Sequence, residues 1–161
     1  MPHPDTAADP SAGTERVYVT LHVADQLCGV PLEGVRDVLA AQSITRVPLA
    51  APEIAGNLNL RGRIVTAIDL RRRLRLPPAE GAETPMSVVT EQGAELYALL
   101  VDQVSEVVSL PARLMERTPP TLSGGWAEFS AGVYRSTERL LVVLDMDRLL
   151  AVAPAEGRAD A

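Results

Sequence analysis

The sequence predicts an all-β fold with few short helices, built as two related subdomains of five strands each. Three observations carry this reading. About ten short runs of β-branched and aliphatic residues recur at close spacing with turn residues between them, the pattern of a barrel or a sandwich. Helical periodicity is nearly absent. One β unit also occurs twice. "LCGVPLEGVRDVL" from Leu27 lies over "LYALLVDQVSEVV" from Leu96 at an offset of 69 (96 − 27), and "RIVTAIDLRRRL" from Arg63 lies over "RLLVVLDMDRLL" from Arg139 at an offset of 76 (139 − 63). The second alignment pairs Asp69 with Asp145 and Arg72 with Arg148; the first pairs Asp37 with Glu106 and Val38 with Val107.

In chain order, residues 1–15 are rich in Pro, Ala, Asp and Ser and read as a flexible tail. "RVYVTLHVA" follows, alternating Val17, Val19, Leu21 and Val23 against Tyr18, Thr20 and His22, and predicts a half-buried strand. Further strands are expected near 27–31, 35–39, 44–47, 63–69, 86–90, 96–101, 104–109, 131–135 and 139–145. "APEIAGNL" offers Pro52 at a first helical position and Gly56 as a stop, and "DMDRLLAV" offers Asp145 as a cap. The stretch "LPPAEGAETP", 76–85, is the loop between halves, which run from about 16 to 75 and from about 86 to 151 within one domain spanning 16–151. Residues 152–161 read as a second tail. A groove is expected where the two subdomains meet.

Composition narrows the chemistry. The 161 residues are 47% apolar but only 3% aromatic, so the core must be aliphatic. All 15 basic residues are arginine, which removes lysine nucleophiles, Schiff bases and the P-loop lysine. Only His3 and His22 could serve a histidine triad or a zinc site, and His22 reads as a polar strand residue. Asp145 and Asp147 read as helix-capping acids rather than metal ligands, and "SGGW", 123–126, as a loop anchored by Trp126. No catalytic residue, metal or cofactor is therefore expected. Cys28 has no partner for an internal disulfide, which favours a reducing compartment, and neither a signal peptide nor a spanning run is present. A cytoplasmic protein is the economical expectation.

The stretch "GNLNLRGRIVTAIDLRRRLR" stands out by charge. Six arginines between Arg61 and Arg75 face one acid, Asp69, a local balance of +5 (6 − 1) on a chain of net charge −6. Nucleic-acid binders have a high pI and aromatics interleaved with their basic residues, whereas this chain has a pI near 4.9 and no aromatic between Tyr18 and Tyr97. Binding to nucleic acid is not expected. Arg71, Arg72 and Arg73 read as a solvated turn. Arg61 stands apart at a tight turn before Gly62, where a guanidinium suits bidentate docking to a partner carboxylate.

The same stretch, preceded by "CGVPLEGVRDVL", resembles the CheW family of bacterial chemotaxis coupling proteins. Its motif of G-x-x-N-L-R-G and an aliphatic strand ending in Asp-Leu-Arg is matched by Gly56, Asn59, Leu60, Arg61, Gly62, Asp69, Leu70 and Arg71. The resemblance runs from about Val17 to Leu150 and includes "VDQVSEVVSLP" and "LLVVLDMDRLL". Cys28 stands where the family usually has an aromatic, and Asp37 where it usually has glutamate. The resemblance implies two SH3-like five-stranded barrels packed together and a non-enzymatic adaptor. Such an adaptor couples the cytoplasmic tips of transmembrane chemoreceptors to the regulatory domain of the histidine kinase CheA. It is recruited to membrane-associated arrays without inserting into the membrane. By position, Leu32, Val35, Asp37 and Val38 resemble the receptor-facing strand, and Gly56, Asn59, Arg61 and Gly62 a region that engages receptor or kinase. The same adaptor role in a pathway with another output, such as surface motility or gene expression, stays open. A small β-barrel nucleic-acid binder is the more distant alternative.

Overall fold

The computed structural model describes residues 14–40, 44–78, 86–122, 124–136 and 139–151. Ten strands form two five-stranded sheets. They are β1 (Glu15–Val23), β2 (Gln26–Pro31), β3 (Val35–Leu39), β4 (Ile54–Leu60), β5 (Arg63–Asp69), β6 (Met86–Gln92), β7 (Glu95–Val101), β8 (Gln103–Pro111), β9 (Ser130–Arg135) and β10 (Leu140–Leu144). One-turn helices follow at Leu70–Arg73, Trp126–Phe129 and Met146–Leu149. No helix among the described residues is long and apolar enough to cross a membrane.

The first sheet runs β8-β1-β2-β10-β9 and the second β3-β6-β7-β5-β4. The two orders are the same once β1, β2, β8, β9 and β10 are replaced by β6, β7, β3, β4 and β5. Each sheet has one parallel pair, β2 with β10 and β5 with β7, and is otherwise antiparallel. The repeat read from sequence is thus present in space, but the halves do not close on themselves. Each sheet combines two strands from one half with three from the other, because β3 leaves β2 for the opposite sheet and β8 leaves β7.

The repeat extends to irregular features. Gly56 and Gly132, 76 apart, both sit where the ladder register shifts or bends against a neighbouring segment. A Cβ at Gly56 would lie 2.2 Å from the Thr45 carbonyl oxygen, and one at Gly132 2.9 Å from that of Glu116. Isolated bridges, Thr45 to Asn57 and Glu116 to Val133, hold those segments. Asp69 caps the helix after β5 by accepting from Arg71 N at 3.1 Å, and Asp145 caps its counterpart by accepting from Arg148 N at 3.2 Å.

Several expectations are corrected. The run 44–47 forms that single bridge and no strand. "APEIAGNL" is a turn followed by β4, not a helix, since two β-branched or aliphatic faces had to be buried and Gly56 serves a close backbone approach. β1 is covered on both faces: Tyr18 is 2% exposed and its hydroxyl meets that of Tyr134 at 3.2 Å, while Thr20 Oγ1 donates to Glu106 O at 2.8 Å. Thr14 and Glu15 belong to the fold, Thr14 O accepting from Ala112 N at 2.9 Å, so the N-terminal tail cannot reach residue 15. The rest of that tail with His3, the tail 152–161, most of the loop 76–85 and Ser123 lie outside the described residues.

The largest core lies between the sheets, joining Leu21, Val23, Cys28 and Val30 to Ile68, Val88, Leu99 and Val101, with Trp126, Phe129 and Leu149 closing it. Each sheet also covers a smaller cluster on its other side, Tyr18, Tyr134, Leu141 and Val143 in the first and Leu58, Val65, Val89 and Leu96 in the second. Burial on both faces explains why these strands read as continuous aliphatic runs. Burial also raises the Cys28 thiol pKa, with the Asp102 charge adding to it, so Cys28 is a core residue with no thiolate chemistry.

Candidate functional site

β4 and β5 form a hairpin in which Leu60 pairs with Arg63 across the two-residue loop Arg61-Gly62. Both loop residues have positive φ, 51° and 86°, the signature of a type I′ turn, whose twist matches that of the flanking strands. Asn59 Oδ1 accepts from Gly62 N at 2.9 Å and ties the turn down. Gly62 supplies backbone freedom, Asn59 the bracing and Gly56 the close approach described above. These three predicted residues therefore act on the shape of the hairpin, and Arg61 is the one that presents a side chain.

β3 is the edge strand at the other end of the same sheet. Curvature brings the two ends together, and Arg61 Nη2 lies 3.3 Å from Asp37 Oδ2. Asp37 is only 26% exposed at its side chain and its other oxygen accepts from Val38 N at 2.9 Å, whereas Arg61 is 78% exposed. The two residues rim a pocket of about 240 Å³ together with Arg36 and Arg63, over Leu60, Val89 and Leu96. Arg36 is held by Glu91 at 2.8 Å.

The other predicted residues separate. Val35 packs on the main core, the bulge between Val35 and Asp37 turns Asp37 to the opposite face of the sheet beside Val89, and Val38 is exposed. Leu32, exposed in the 3₁₀ turn Leu32–Gly34, lines a different and larger groove of about 850 Å³ with Val17, Tyr18, Met115 and Met146. The predicted receptor-facing residues thus fall on two concavities, Leu32 on the large one and Asp37 on the small one. The acid and the arginine belong to the small one.

The remaining arginines are not a solvated turn. Arg71 is 20% exposed and Arg73 16%, against 62% for Arg72. Arg71 grips Asp102 with two bonds, Nε to Oδ1 at 3.1 Å and Nη2 to Oδ2 at 2.6 Å, while Asp102 Oδ2 also accepts from Ala24 N at 2.8 Å. One carboxylate thereby links the helix after β5 to the β1–β2 turn of the other sheet. The bond to Asp102 raises the Arg71 pKa further. Arg73 donates to Leu149 O at 3.0 Å and Arg148 O at 2.9 Å and lies 4.6 Å from the centre of the Phe129 ring. Arg75 pairs with Glu128. Sequence reasoning missed these clasps between the subdomains. No sequence signal pointed to them: the repeat places Asp102 over Glu33 at the offset of 69 (102 − 33), yet of the two only Asp102 has an arginine ion pair among the described residues.

A model of the CheW-like domain matches residues 17–153. The chain belongs to the CheW family. A probable chemotaxis protein CheW of Rhizobium etli is 25% identical over 143 residues, 89% of this chain and 92% of the relative. Protein FrzA of Myxococcus xanthus is 28% identical over 153 residues, 93% of this chain and 94% of the relative. The crystal structure of the scaffolding protein TtCheW from Thermoanaerobacter tengcongensis superposes with a TM-score of 0.77 at 25% identity, over 86% of this chain and 94% of that one. The CheW fold of two packed β subdomains is therefore that of this chain, and like other CheW proteins it is a non-enzymatic scaffold or adaptor.

Proposed function

We propose that this CheW-family chain couples the cytoplasmic tips of chemoreceptors to the regulatory domain of a CheA-type histidine kinase, working in the cytoplasm at membrane-associated arrays. The observation that carries the reading is the meeting of Asp37 and Arg61, 24 positions apart (61 − 37), over one apolar pocket. An adaptor needs rigid, chemically distinct surfaces, and a tight hairpin set against an edge strand supplies one. Val35, Asp37 and Val38 on that strand, with Leu32 at its entry, form the receptor-facing element, and Gly56, Asn59, Arg61 and Gly62 form the turn that engages receptor or kinase. A second reading keeps the adaptor role and changes the output, and the match to Protein FrzA, a relative whose name does not mention chemotaxis, favours keeping it.

Affinity purification from cell extract followed by mass spectrometry should recover a histidine kinase and a methyl-accepting receptor. Calorimetry with the purified kinase regulatory domain and a receptor-tip fragment should show binding of both to the wild type, weakened roughly thirtyfold by Arg61→Ala and little changed by Arg72→Ala. Failure of the wild type to bind either partner refutes the adaptor reading.

A further inference from the structure

The pocket carries a second exposed cation beside the arginine of the family motif. Arg61 points at Asp37, 3.3 Å away, and Arg36 is held at 2.8 Å by Glu91. Arg63, on the strand side of the same turn, is exposed, lines the same pocket and has no ion pair among the described residues. We propose that Arg63 receives a carboxylate of the partner protein, and that a large aliphatic side chain next to that carboxylate fills the pocket over Leu60, Val89 and Leu96. The inference rests on the adaptor reading above and specifies the chemistry of its docked segment.

Three observations support this occupant. The pocket's volume of about 240 Å³ is several times the roughly 30 Å³ that one water occupies in the liquid, enough for a large side chain. Its floor is aliphatic, with Val89 and Leu96 buried and Leu60 half-buried, so an apolar group entering it moves from water onto apolar surface. Its lining carries three arginines and one acid on a chain of net charge −6, so the local field draws a carboxylate towards a patch that the rest of the surface repels. A guanidinium already facing an internal carboxylate must exchange one partner for another on docking. Arg63 exchanges only water, and its planar fork binds a carboxylate with two bonds. Its position in the ladder fixes it, because Arg63 is paired with Leu60 at the base of the turn and is held by two strands rather than by the tip.

The test is calorimetric binding of the intact protein to the purified kinase regulatory domain and to a receptor-tip fragment, with thermal melts of every variant. Arg63→Ala should weaken binding to one of the two partners about thirtyfold while leaving the melt unchanged, since the side chain is exposed. Arg63→Lys should recover only part of that loss, because an ammonium cannot make the paired bonds. Arg63→Glu should abolish binding, and changing one acidic residue of the partner, beside an aliphatic one, to arginine should restore it. The same partner change should not restore Arg61→Glu. If the wild type binds and Arg63→Ala binds within about threefold of it, or if no partner reversal rescues Arg63→Glu, the assignment of Arg63 is wrong and the adaptor reading stands. If the wild type binds neither partner, the adaptor reading fails and this inference fails with it.

Discussion

Arg61 occupies a position that backbone sterics reserve for other residues, and this makes its stability cost measurable. At φ 51° in the first loop position of a type I′ turn, the favoured residues are Asn, Asp and Gly. A side chain such as arginine in the left-handed region costs on the order of 1 kcal/mol, whereas asparagine tolerates it. Arg61→Asn should relieve that strain but remove the ion pair with Asp37. The pair is weak: Arg61 is 78% exposed, its closest approach is 3.3 Å, and pairs this exposed contribute roughly 0.2–1 kcal/mol. The two effects are separable by a double-mutant cycle with Asp37→Ala, in which the pair is already absent. In that background Arg61→Asn should stabilise the protein by about 1 kcal/mol, and in the wild-type background by about half as much. Urea unfolding at fixed pH reads both differences, with melting temperature rising by about 2–4 °C per kcal/mol for a chain of this size. Destabilisation by Arg61→Asn in both backgrounds would refute the strain argument. Stabilisation together with weaker partner binding would show an arginine kept at this turn for its contacts.

Two further outcomes follow from the same geometry. Alanine at Gly62 meets open space and suffers only from φ 86°, so Gly62→Ala should cost about 1–2 kcal/mol, whereas Gly56→Ala drives a methyl to 2.2 Å from Thr45 O and should cost several kcal/mol or prevent folding; equal unfolding midpoints for the two would contradict this. Asp102 loses solvation, which raises its pKa, but the bonds from Arg71 and from Ala24 N–H together outweigh this and hold it below the ordinary carboxylate value. A depressed folded pKa means stability that is present above about pH 4 and lost as pH falls through the folded value. Asp102→Asn should therefore cost about 1–3 kcal/mol at pH 7 and flatten the acid limb of a stability-against-pH curve, and an acid limb identical to wild type would exclude the clasp as its source.

The sequence by itself determined the local events. Alternation and β-branching placed nine of the strands, and Asp145, which the repeat pairs with Asp69, announced a cap, because each of these depends on residues within a few positions of one another, while comparison of the sequence with itself exposed the duplication. It also marked Arg61-Gly62 as a turn, since few residue pairs allow one that tight. Tertiary structure alone decided which strands share a sheet. The repeat shows two copies of a unit but not that each copy leaves its first two strands with the other copy's last three, because ladder hydrogen bonds are the same for any partner. It decided too that Asp37 and Arg61 meet, which depends on the curvature that brings β3 to the β4–β5 turn. The arginine island shows the limit most plainly. Arg71, Arg72 and Arg73 are neighbours of one chemical type in a single helical turn, yet two are clasps between subdomains and one faces water. Successive residues on a helix point about 100° apart, and only the other subdomain's Asp102, Leu149 and Phe129 determine which of those directions is interior.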